Sequence, residues 1–280
     1  MKTLLNVENL TVSYPTFKLD NISFKCEPGE VLGIIGVNGA GKSTTIRAIM
    51  HIISRDKGDI YWKDKLLTLK GISDFREQVG YVGDNDCYYP NIKVKKILKI
   101  MSGLYSNWDN ESMKTYISKF NIDINKKMKE LSTGMRVKLD LLMAMSHNAD
   151  IYILDEPTSG LDPVVRKELL QILEDLAKIE NKAVIISSHI TSDLEKIADR
   201  VIYIVGGRIK LDKDIESIQQ EYIKINTKGK KFTSDMKECL KIGDYIITTK
   251  EMYDLGIGIE EEFKLEPVLL EDILFYLGGY

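Results

Sequence analysis

The chain has 280 residues with 39 Lys+Arg against 42 Asp+Glu, and its net charge of -3 provides no global basic field to draw nucleic acid or anionic lipid. Hydrophobic residues at 44% and charged residues at 29% match globular averages and exclude wholesale disorder, a fibre or a disulfide scaffold. The three cysteines, Cys26, Cys87 and Cys239, stand far apart without metal-ligand spacing, so they read as reduced thiols with structural roles. No apolar run approaches the ~18 residues that span a bilayer, and MKTLLNVENL lacks the apolar core of a secretory signal. A cytoplasmic location is expected.

In chain order, residues 3 to 35 read as strands: LLNVENLTVSY and LDNISFKC alternate, and GEVLGIIG is the continuous apolar run of a strand buried on both faces. After a Gly-rich loop at 36 to 41, Ile46, Ile49, Met50 and Ile53 recur at helical spacing. Gly58 to Trp62 and Val79 to Val82 are short strands. Residues 92 to 146 are mostly helical in pattern, with Ile97, Leu98, Ile100, Met101 and Leu104 as one stripe, and read as an insertion. Buried strands return at 151 to 155 and 183 to 188 around a helix from Pro163 to Ile179, the alternation of a parallel α/β sheet. A hairpin over Val201 to Leu211 turns at Gly206-Gly207. Beyond Asp212 the pattern changes to YIKIN, YIITT and a helix from Pro267 to Leu277. The expected division is a domain over 1–212, with a helical subdomain at about 85–146, and an α+β appendage over 213–280.

Chemistry concentrates in a few motifs. Gly36-Val37-Asn38-Gly39-Ala40-Gly41-Lys42-Ser43 is a full Gly-x-x-x-x-Gly-Lys-Ser match between a buried strand and a helix. Such a loop turns backbone N–H groups and a helix N-terminus toward phosphate oxygens, while the lysine adds a cation and the serine hydroxyl can ligate Mg²⁺. Ile151 to Glu156 is an apolar strand that delivers two adjacent carboxylates at its C-terminal end, where ligands gather in α/β sheets. Neighbouring side chains diverge, so Asp155 can serve the Mg²⁺ shell while Glu156 polarises a water toward the γ-phosphate.

With these motifs the chain resembles the nucleotide-binding subunit of the ABC transporter family. Leu131-Ser132-Thr133-Gly134-Met135 stands just before a helix as that family's signature does, Ser159-Gly160-Leu161-Asp162 matches its D-loop, and His189 in Ser187-Ser188-His189 matches its switch histidine. The resemblance covers about residues 3 to 212. It implies a P-loop NTPase fold with a RecA-like α/β core, an N-terminal antiparallel β-subdomain, an inserted helical subdomain and a small C-terminal appendage. By the same resemblance Gly36, Asn38, Gly39, Ala40, Gly41, Lys42, Ser43 and Thr44 hold the phosphates of ATP. Ser132, Gly134 and Asp162 then face the nucleotide of a second copy, Ser43, Asp84 and Asp155 serve Mg²⁺, and Glu156 and His189 are catalytic. Tyr14 in Val-Ser-Tyr-Pro matches the aromatic that stacks on adenine, although by itself it reads as a packing residue. His51 and His147 are expected on helix surfaces or ends.

Two departures from the family pattern stand out. Asp84 occupies the usual Gln position after Val79-Gly80-Tyr81-Val82-Gly83, and Thr133 and Met135 replace Gly and Gln in the signature. The aromatic segment Cys87-Tyr88-Tyr89-Pro90 lies where the family meets a transmembrane subunit, or is a packed loop. Lys93, Lys95, Lys96 and Lys99 flank an apolar stripe, as lipid-facing groups or as a solvated helix face.

The resemblance thus implies an ATPase that dimerises around two Mg-ATP and drives separate membrane permease subunits. It implies no nucleic acid partner and a peripheral position on the inner face of the cell membrane. The LSTGM signature with a short tail resembles the bacterial export branch that handles drugs and antimicrobial peptides. The alternative is a soluble, non-transport ABC ATPase with an assembly or regulatory role. The tail reads as a dimer brace or packing appendage, or as a regulator of the ATPase.

Overall fold

The computed structural model describes residues 3–83, 88–227, 239–254 and 264–278. Three strands open the chain, β1 (Leu5–Ser13), β2 (Lys18–Cys26) and β3 (Val31–Ile35), followed by α1 (Lys42–Ile49). β1 and β2 pair antiparallel from Leu5↔Cys26 to Ser13↔Lys18, with register shifts around Asn9 and Asn21. Both asparagines adopt positive φ, a conformation their short polar side chains tolerate. The bulge at Asn21 resets the alternation, so that Leu19 and then Ile22, Phe24 and Cys26 all face inward.

Next come β4 (Lys57–Trp62), β5 (Lys65–Leu66), α2 (Ile72–Glu77) and β6 (Val79–Val82). An inserted helical lobe holds α3 (Val94–Met101), α4 (Asn110–Lys119), a single 3-10 turn at Met128–Glu130 and α5 (Thr133–Met145). The chain then alternates β7 (Ile151–Asp155), α6 (Pro163–Lys178), β8 (Ala183–Ser188), α7 (Thr191–Ile197), β9 (Arg200–Val205) and β10 (Arg208–Asp214). The tail contains α8 (Ile215–Glu221), β11 (Tyr222–Asn226), β12 (Cys239–Ile242), β13 (Tyr245–Thr249), α9 (Lys250–Asp254), β14 (Lys264–Glu266) and α10 (Leu270–Tyr276).

The strands form three sheets, ordered β2-β1-β4-β5, β10-β9-β3-β8-β7-β6 and β12-β13-β11-β14. The six-stranded sheet is parallel apart from its edge strand β10. Every residue of β3, β7 and β8 is buried, which explains their continuous apolar runs. One face, with Val31, Tyr152, Val184 and Val201, packs on the helical lobe, α6 and α7. The other, with Leu32, Ile151, Ile185 and Ile202, packs on α1 and the N-terminal antiparallel sheet. Parallel pairing brings the C-terminal ends of β3, β8 and β7 side by side, through Ile35↔Ser188 and Asp155↔Ser187.

The β9–β10 turn uses the two glycines as expected, both at positive φ, and a Cβ at Gly207 would lie 1.9 Å from the Lys18 carbonyl oxygen. Three features differ from the sequence pattern. In the lobe stripe Ile97 and Leu98 are buried while Ile100, on the outer side of α3, and Leu104, in the turn beyond its end, are exposed. His147 follows the end of α5 but is buried, its ring between the carbonyls of Met143 and Val79 and stacked on Tyr105. The last helix starts at Leu270, because the Asp272 carboxylate accepts the Leu269 N–H at 2.9 Å and the chain from Pro267 to Leu269 stays outside the helix. Cys26 is buried and Cys239 half-buried, while Cys87 lies outside the described residues.

Candidate active site

The loop 36–41 joins the central strand β3 to α1, and Gly36 lies so close to β9 that a Cβ there would sit 2.6 Å from the Ile204 carbonyl oxygen. Gly41 caps α1 at φ 118°, so among the described residues the first N–H groups of the helix have no side-chain cap. This is the arrangement that receives anions. Lys42 is buried, and its Nζ donates to the Gly36 carbonyl at 2.7 Å and contacts Glu156 Oε1 at 2.9 Å. Asn38 and Gly39 are exposed at the loop tip, whereas Ala40 turns inward.

A cleft of about 480 Å³ opens over this loop, with Asn38, Gly39, Lys42, Ser43 and Thr44 on one side and Tyr14 and Phe17 on the other. Tyr14 is 45% exposed, so its ring is available at the rim rather than spent on packing. Its position comes from a tight turn, in which the Tyr14 N–H bonds the Phe17 carbonyl at 2.7 Å.

Asp155 is the hub at the end of β7. Its Oδ1 accepts from Ser43 Oγ at 3.0 Å and from Ser187 Oγ at 2.7 Å. Ser187 Oγ in turn accepts the backbone N–H of Glu156 at 2.9 Å. That contact supports Glu156 at φ 50°, a conformation uncommon for a side chain of its kind. Glu156 Oε2 meets His189 Nδ1 at 2.7 Å, so one carboxylate bridges the loop lysine and the histidine beyond β8. Burial works to raise the Glu156 pKa, but the hydrogen bonds and charges of Lys42 and His189 outweigh it and hold the carboxyl below its ordinary range. Glu156 is therefore a carboxylate at neutral pH. Ser43 hydroxyl and Asp155 carboxylate are hard oxygen donors converging on one point, a donor set that suits Mg²⁺. Asp84 lies outside the described residues.

An adjoining cleft of about 400 Å³ has Ser43, Asp155 and Glu156 on one wall and Gly83, Thr133 and Arg136 on the other. Ser132 caps α5 by accepting the Met135 N–H at 3.3 Å. Gly134 packs beside Val165 and Leu161. Asp162 Oδ1 accepts the N–H groups of Val164 and Val165, so this carboxylate caps its own helix α6. Ser187, Phe17 and Arg136 also line the site, with no motif role of their own in the sequence. Ser187 lies in Ser187-Ser188-His189, and the signal that finds it is its register opposite Asp155.

The ABC transporter family's sequence profile matches residues 19–159 of the chain. An ABC transporter ATP-binding protein of Methanocaldococcus jannaschii is 32% identical, with 97% of this chain and all of that one covered. This chain belongs to the ABC transporter family. The bacitracin transport ATP-binding protein of Bacillus licheniformis is 30% identical over 97% of this chain and 91% of its own. Among solved structures, an ATP binding subunit of an ABC transporter superposes with a TM-score of 0.70 at 26% identity, covering 77% of this chain and 92% of that one. The cbiO1 protein from Clostridium perfringens, part of the ABC transporter complex cbiONQ, gives 0.67 at 25% identity, covering 78% and 91%. The chain is accordingly an ATP-binding subunit of an ABC transporter. Among the described residues no helix is long and apolar enough to cross a membrane.

Proposed function

We propose that this ABC transporter subunit dimerises around two Mg-ATP and drives export of drugs or antimicrobial peptides through separate permease subunits, from a peripheral position on the inner membrane face. The observation that carries the catalytic reading is the bridge from Lys42 through Glu156 to His189 beside the Ser43–Asp155 pair. Loop N–H groups and Lys42 bind the phosphates, and Tyr14 lines the cleft where adenine stacks. Ser43 and Asp155, with Asp84 as the further candidate ligand, hold Mg²⁺, which neutralises phosphate charge when bound. A phosphate oxygen competes with Glu156 Oε1 for the Lys42 ammonium. Glu156 then has an oxygen for the attacking water, while His189 keeps the other oxygen oriented. Ser132 and Gly134, at the start of α5, and Asp162, at the start of α6, are the groups this reading assigns to the second copy's nucleotide.

The export branch draws support from the bacitracin transport relative and from the lantibiotic transport ATP-binding protein of Streptococcus pyogenes, which is 29% identical over 76% of this chain and 92% of its own. The test uses purified full chain. Wild type turns over Mg-ATP, whereas Glu156→Gln binds ATP, loses turnover by about 100-fold or more and accumulates as a dimer. Absence of both turnover and ATP-dependent dimerisation ends the reading. Co-purification in detergent with a multi-spanning protein supports transport, and an entirely soluble complex favours an assembly or regulatory ATPase.

A further inference from the structure

The tail bears on the catalytic cleft through α7. This helix begins two residues after His189, and the link is stiffened by Ser188 Oγ, which accepts the Ile190 N–H at 2.9 Å. Its side chains are engaged on two sides. Asp193, fully buried, receives Arg166 Nε of α6 at 2.6 Å. Leu194 and Ile197 enter the core that also takes Val268, Leu270, Ile273 and Leu274 of the tail. Glu195 Oε1 accepts the N–H of Leu270, the first residue of α10. α10 is itself anchored to the tail sheet by the half-hidden Lys224–Asp272 pair at 2.8 Å and by Tyr276, whose ring meets Tyr222 edge-on at 5.5 Å. α7 is thus clamped between α6, whose first turn follows Asp162, and a tail helix that cannot shift without its sheet.

We propose that α10 braces α7 and thereby sets His189 against Glu156, with Glu195 as the positioning residue that joins tail to catalytic domain. The tie runs from an N–H at the start of α10, which has no partner within its own helix, to the helix that follows the histidine, so the two helices shift together. The brace makes the tail part of the hydrolysis machinery in cis, and any partner that moves residues 264–278 would then change turnover without touching ATP.

The inference rests on the ATPase reading, which wild-type turnover tests separately. Steady-state Mg-ATP hydrolysis by the full chain is compared for wild type, Glu195→Ala, Glu195→Gln and Leu274→Ala, with thermal unfolding in parallel. Glu195→Ala is expected to lower kcat about 3- to 10-fold with KM for ATP and the unfolding temperature unchanged. Glu195→Gln, which keeps an acceptor oxygen, restores most of it, and Leu274→Ala, which thins the buried face of α10, lowers kcat at temperatures where it is fully folded. Wild-type kcat in Glu195→Ala, or a loss that Glu195→Gln does not relieve, overturns the proposal.

Discussion

Asp140 lies in the middle of α5 with 5% of its surface exposed, its Oδ1 receiving Tyr88 OH at 2.9 Å and its Oδ2 buried with no hydrogen-bond partner among the described residues. Burial is the main cause that pushes its pKa up to about 7, against smaller opposing effects of Tyr88 and Arg136. The native state therefore prefers the protonated acid, while the unfolded chain releases the proton near the ordinary value of 3.8. Stability contributed by this residue falls as pH rises from about 4 to about 7, and is constant above that. Asp140→Asn removes the dependence. Urea unfolding of both proteins between pH 5 and 8 should show the variant gaining on wild type up to about pH 7, by at most roughly 3 kcal/mol across that window, and no further change above. At this scale the sequence was legible where a motif concentrates chemistry: Lys42, Ser43, Asp155, Glu156 and His189 do converge. Ser187 and Asp140 were not, because a serine in a strand and an acid in a helix acquire meaning only from what faces them.

Elements followed the period of their apolar residues. The strands beginning at Val31, Ile151 and Ala183 are buried on both faces and run as continuous apolar segments, as fully covered parallel strands must. The structure departs from that period where a side chain caps a helix or cover is missing. Asp272 capping Leu269 sets the start of α10, and the solvent side of α3 and the turn after it leave Ile100 and Leu104 exposed in a stripe that reads as uniformly apolar. The β9–β10 turn separates two reasons for a glycine. At Gly206 only positive φ is at issue, with open space around the missing Cβ, whereas at Gly207 the Cβ would strike the β2 backbone. Gly206→Ala should cost about 1 kcal/mol and Gly207→Ala about 3 kcal/mol or more, measured by chemical denaturation. Equal costs would mean that contact with β2 contributes nothing.

At the scale of the molecule, the tail's Ile273 and Leu274 join the same apolar cluster as Leu173 of α6 and Leu194 of α7. A division near residue 212, drawn from the change in pattern, cuts through that cluster. The full chain should therefore unfold in one calorimetric transition, and a fragment of residues 1–212 should unfold at lower temperature and expose apolar surface to a hydrophobic dye. Two well-separated transitions in the full chain would instead mark the tail as an independent domain.

The sequence by itself determined the parallel core, the phosphate loop and the paired carboxylates, because loop geometry, buried strands and helix starts impose local residue patterns that survive in one dimension. Only the tertiary structure decided that Glu156 bridges Lys42 and His189, that Ser187 holds Asp155 and Glu156 together, and that α10 lies against α7. Those contacts join residues 31 to 114 positions apart, for example Lys42 with Glu156, and no local spacing encodes which distant side chains a fold brings into hydrogen-bond range.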